Sequence, residues 1–149
     1  STPLDFESRL DLFPKAALVK IIETAIFNSQ PDVLMFMGPS FHHDHTILYE
    51  AIIAALRPTI QHRLKTSLIM ENPTYVHDGY GLTKPNFYVG LDEEIVNEKA
   101  ILFSKLFPSQ HRENANYLSS NGMTRWARYR GLEAQLDFAE AFRIFKTVA

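Results

Sequence analysis

An α/β fold with a Rossmann-like, mainly parallel sheet and flanking helices is predicted by three observations. Two short apolar runs, Val33 to Met37 and Thr66 to Met70, are closed by Gly38-Pro39 and Glu71-Asn72-Pro73. Runs of that length between turn residues suit strands buried on both faces. Around them, apolar residues recur at helical spacing, and strands alternating with helices make a parallel sheet. The 149 residues are 46% hydrophobic and 21% charged, enough for a single α/β domain over residues 1–149 with a sizeable core.

Taken in order, Pro14 suits the first turn of a helix. Leu18, Ile21, Ile22, Ala25 and Ile26 follow on one face to about residue 28. Pro31 ends that helix, because the residue before a proline is pushed out of the α region. After the first strand comes the polar stretch Ser40-Phe41-His42-His43-Asp44-His45. A second helix, starting near Thr46, carries Ile47, Leu48, Ala51, Ile52, Ala55 and Leu56 up to Arg57-Pro58. The second strand leads into a long surface loop over 74–84, marked by glycine and proline. Phe87, Val89 and Leu91 alternate on one face of a third strand over 86–91. Asp92 is placed to cap the next helix, with Glu93 and Glu94 favourable in its first turn and its end near Leu106. A further helix is expected over 115–130, ending at Gly131. In the last segment Phe138, Ala141, Phe142 and Phe145 fit a helix, while the run Ala141-Phe142-Arg143-Ile144-Phe145 also fits a strand.

Composition narrows the chemistry. The net charge of −2 lacks the basic excess of a nucleic-acid binder. The longest apolar run is far short of the roughly 20 residues of a membrane span, and no signal peptide is visible. The absence of cysteine excludes disulfides, thiolate nucleophiles and Cys-ligated metals, and fits a cytoplasmic protein. Any metal must be held by His, Asp or Glu. The start at Ser1, without an initiation context, suggests a chain that begins partway through a longer protein. Phosphate-loop, dinucleotide and nucleophile-elbow signatures are missing.

Ligands of open α/β sheets bind beyond the carboxyl ends of the strands. Three of the six histidines and Asp44 fall at such a place. His42 and His45 are three residues apart, so a turn-like backbone can aim both rings into one cleft. Imidazole suits zinc, and a nearby carboxylate can accept the second ring N–H. The alternative is a solvated polar loop with Asp44 capping the helix. His62, His77 and His111 have weaker settings: the surface stretch Gln61-His62-Arg63, a turn in the long loop, and a position beyond a helix end. Glu71 and Asn72 follow the second strand and should also face that cleft, where they can bind a ligand. Tyr75, His77 and Tyr80 can form a lid or stacking wall. Arg125, Arg128 and Arg130 interleave with Trp126 and Tyr129, which fits either an RNA-binding face or a helix with charges to water and aromatics to the core.

The stretch Gln30-Pro31-Asp32-Val33, then 38–45, Ala51 to Ala55 and Leu56-Arg57-Pro58, resembles the second motif of the PIG-L (LmbE-like) family of zinc-dependent de-N-acetylases. Downstream, Asn86-Phe87-Tyr88-Val89, Glu98-Lys99, Ser109-Gln110, Arg128-Tyr129-Arg130-Gly131 and Ala139-Glu140-Ala141-Phe142 are similar to family elements in the same order. The resemblance implies that His45 is a zinc ligand. It implies that His42, as imidazolium, stabilises the oxyanion or protonates the leaving amine, and that Asp44 orients His42 and favours its charged form. In such enzymes zinc lowers the pKa of bound water to about 7. The substrate implied is an N-acetylated amino sugar or its conjugate, and the last segment is implied to be a strand.

The family's His-Pro-Asp-Asp stretch, which brings two more ligands and the general base, does not occur here. The chain therefore resembles the C-terminal two-thirds of the family domain, without its first strand. A truncated enzyme is expected, inactive alone, whose site needs a missing N-terminal segment or another chain. A separate possibility is a non-catalytic carbohydrate-binding or scaffolding relative that lacks the metal site.

Overall fold

The computed structural model describes residues 9–58, 64–73, 84–113 and 116–148. It divides into two units. Described residues up to Met70, with Lys84 and the stretch from Ile144, form the first; Glu71 to Pro73 and Pro85 to Arg143 form the second.

In the first unit a 3-10 turn, Leu10–Leu12, precedes α1, Lys15–Ser29. Pro14 sits at the N-cap of α1, where its carbonyl accepts the amides of Ala17 and Leu18. Gln30 ends the helix in the left-handed conformation, φ 44°, where Pro31 forbids another helical residue. Strand β1, Val33–Met37, leads to α2, His43–Ala55, and then to β2, Thr66–Met70. β1 and β2 pair in parallel, Val33 opposite Thr66 through Met37 opposite Met70. The core joins Ile26 of α1, Ile52 and Leu56 on and after α2, Phe36 of β1 and Ile69 of β2.

β1 is not buried on both faces, as its apolar run suggests. It lies at the edge of the sheet. Phe36 and Leu34 face the helices, while Val33 and Met35 remain 51% and 54% exposed. Side chains alternate across a strand, so helices on one side cover only every second residue.

The second unit contains β3, Phe87–Gly90; α3, Glu93–Leu106; α4, Ser120–Ala134; and the first half of β4, Ala139–Thr147. β3 and β4 are antiparallel, Phe87 opposite Phe142 and Gly90 opposite Ala139. Val96, Ala127 and Phe138 form this unit's core. The second half of β4 belongs to the first unit. Its contacts with β2 run Lys65 to Val148, Thr66 to Thr147 and Ser67 to Lys146, in opposite senses.

The fold is thus α/β, with four helices and a four-stranded mixed sheet in the order β1-β2-β4-β3 among the described residues. The expected mainly parallel sheet is corrected, because the last segment returns as a long antiparallel strand. Two helices also differ in their boundaries. α2 starts at His43, three residues early. α4 starts at Ser120, where the Ser119 hydroxyl accepts the Gly122 amide at 3.0 Å. It runs past Gly131 to a left-handed Gln135, φ 58°.

Gly122 and Gly131 allow close approach inside α4. A Cβ at Gly122 would stand 2.0 Å from the Asn116 carbonyl oxygen, whereas one at Gly38 would meet a side-chain methyl of Ile69 at 3.1 Å. Gly122→Ala should therefore destabilise by roughly 1–3 kcal/mol, since backbone must move. Gly38→Ala should cost less, as compared by urea denaturation midpoints.

Candidate functional site

The carboxyl end of β1 turns through Gly38-Pro39-Ser40 directly into the first turn of α2. The polar stretch is therefore partly helical, with His42 at the N-cap and His43, Asp44 and His45 in the first turn. The His42 carbonyl accepts the amides of His45 at 3.0 Å and Thr46 at 3.4 Å.

This backbone brings three imidazoles into a stack. The His42 ring lies 5.1 Å from that of His43, at 10°, and 4.8 Å from that of His45, at 28°. The Ser40 hydroxyl meets His45 Nδ1 at 2.7 Å and accepts the His42 amide at 3.1 Å. The Nδ1 of His42 is shut off from solvent and has no hydrogen-bond partner among the described residues, and a buried polar atom in that state is unfavourable.

Asp44 is buried. Its Oδ1 accepts the Leu10 amide at 3.0 Å and lies 3.2 Å from His43 Nε2. The resemblance pairs Asp44 with His42; here its bonded partners among the described residues are Leu10 and His43. Asp11, held by Arg9 at 3.0 and 3.2 Å, stands 3.8 Å from the same His43 nitrogen. Asp11, His43 and Asp44 each offer one atom within 4.8 Å of the others, a possible metal-binding group. Sequence reasoning passed over His43 and Asp11: Asp11 carries no motif, and only the fold brings it to the helix start.

The zinc expected at His45 needs three protein donors in an open catalytic site. Among the described residues, no metal-binding group of three His, Asp or Glu side chains includes His45. These residues alone do not fit a zinc ion at that position.

The other expected site residues lie after β2. Glu71 receives hydrogen bonds from Trp126 Nε1 at 2.9 Å and from Arg130 Nε at 2.9 Å, with a second Arg130 contact. Asn72 follows it in the second unit. Tyr75, His77 and Tyr80, with His62, lie outside the described residues. The His111 amide bonds to the Phe107 carbonyl beyond α3. Arg125 and Arg128 face solvent, but Arg130 is buried, its guanidinium 4.9 Å from the Trp126 ring centroid and 5.0 Å from that of Tyr129. Burial opposes the charge on Arg130, yet hydrogen bonds to Glu71 and Glu133 outweigh it and raise its pKa.

No model of a known protein family matches the chain, and no curated protein matches it. Among the described residues, no helix is long and apolar enough to cross a membrane.

Breaking a buried ion pair leaves a charge uncompensated. Arg130→Met, which strands Glu71, should lower stability by about 3–5 kcal/mol in denaturant titrations. Burial, then His42, depress the His45 pKa against the pull of Asp44. A depressed imidazole pKa contributes stability above the unfolded value of about 6.5 and loses it as pH falls toward the folded value. An NMR titration should place the His45 midpoint below about 6.5, and His45→Gln should flatten the loss of stability across that window.

Proposed function

We propose that this chain is the C-terminal portion of a zinc-dependent hydrolase, with a Rossmann-like domain, that removes the acetyl group from an amino sugar or its conjugate. The reaction class comes from the likeness to the PIG-L (LmbE-like) family. The observation that carries the reading is the pairing of His42 and His45 rings at 4.8 Å, at the carboxyl end of a parallel strand.

His45 is this chain's donor to the metal of the complete enzyme, and a segment or chain beyond these residues supplies the others. His42, packed against His45, holds a proton where an acetamide oxygen gains charge or an amine departs. Asp44, bound to the Leu10 amide and beside His43, fixes the turn that carries both rings.

A second reading, a carbohydrate-binding or scaffolding relative without catalysis, is favoured by the lack of a three-donor set around His45 among the described residues.

The two are separated by a longer polypeptide that joins a His-Pro-Asp-Asp segment to this chain. It should carry one zinc by elemental analysis and release acetate from an N-acetylated amino sugar. His45→Ala should lose the zinc. His42→Ala should keep it while turnover falls by about 10²–10³-fold. Sugar binding without zinc or acetate would support the second reading and overturn the first.

A further inference from the structure

We propose that Ser40 is the positioning residue of His45: its hydroxyl donates to the ring's Nδ1, which orients the ring and puts its hydrogen on Nε2. The use of that nitrogen rests on the hydrolase reading, while the geometry stands apart from it.

Ser40 is 4% exposed, so the bonds of its hydroxyl are not shared with bulk water. Its oxygen already accepts the His42 amide at 3.1 Å. Among the described contacts, the acceptor for its hydrogen is His45 Nδ1, at 2.7 Å. The serine is also held through its main chain, whose carbonyl accepts Thr46 Oγ1 at 3.0 Å. One residue thus ties the backbone of His42 to the ring of His45, and both to the first turn of α2.

A neutral imidazole carries one donor and one acceptor nitrogen. With Nδ1 accepting, the hydrogen belongs on Nε2. A carboxylate at the Ser40 position can only accept, and would hold the hydrogen on Nδ1. A hydroxyl can also turn to accept, so the same contact would serve the Nδ1–H form once a metal takes the Nε2 lone pair. In the metal-free chain Ser40 donates, and the ring points the same way in both forms.

The test uses the 149-residue chain, labelled with ¹⁵N and without added metal, at mildly alkaline pH. Two-bond ¹⁵N–¹H spectra of the imidazoles should show His45 as the Nε2–H tautomer, with Nδ1 shifted as a hydrogen-bond acceptor. Ser40→Ala should move that Nδ1 signal toward the value of a free acceptor. It should also speed exchange of the His42 amide by roughly tenfold, the loss of one buried hydrogen bond. Ser40→Thr, which keeps the hydroxyl, should restore both. A wild-type Nδ1–H tautomer, an unmoved Nδ1 signal in Ser40→Ala, or a Ser40→Thr spectrum like that of Ser40→Ala would overturn the proposal. If Ser40→Ala does not fold, the wild-type tautomer and the Ser40→Thr spectrum decide. The hydrolase reading fails separately, through missing zinc and acetate release in the longer polypeptide while these spectra stay as described.

Discussion

One buried carboxylate sets the terms for the first unit. The start of an α-helix presents unsatisfied N–H groups and a partial positive charge. Asp44 stands in that turn of α2, out of solvent, and uses an oxygen to hold the Leu10 amide. A negative charge in the first turn is stabilised by the helix itself, so the same group can reach back to the preceding 3-10 turn. That reach delivers Asp11 to His43. It also fixes the turn on which His42 and His45 stack, and the Ser40 hydroxyl completes the arrangement from the strand side.

Much of the fold was legible because apolar residues in short bounded runs admit few alternatives. Val33–Met37 and Thr66–Met70 have the strand bounds expected of them, and α1 and α3 lie where helical spacing places them, although Asp92 stands at the N-cap of α3 without a side-chain capping hydrogen bond. Local patterns fail where the deciding partner is remote. Val33 and Met35 look as buried as Phe36 in the sequence, and only the edge position of β1 distinguishes them. The closing segment fits two periodicities, and pairing with β3 and β2 selects the strand. α2 starts earlier than apolar spacing indicates, because His43, Asp44 and His45 carry no apolar period, although an acidic residue at that position favours a helix start.

The candidate site divides in the same way. The histidine cluster was visible from composition and spacing. The bond from Ser40 carries no sequence signal of its own, although serine five residues before His45 lies within the same short turn. Glu71 illustrates the opposite limit. Its partners Trp126 and Arg130 are 55 and 59 residues away in sequence. A cluster of arginines and aromatics gives no hint of which guanidinium turns inward. Arg130 does, and a charge removed from water needs a fitted counter-charge, so Glu71 is bound into the packing of the second unit.

The alternation along β1 leaves the thioether of Met35 open to solvent, while Met123 is enclosed in the second unit. A peroxide therefore reaches Met35 first and converts an apolar surface group into a polar sulfoxide. Phe36, on the opposite face of the strand, keeps its packing, so the lesion alters the stickiness of an edge rather than the integrity of a core.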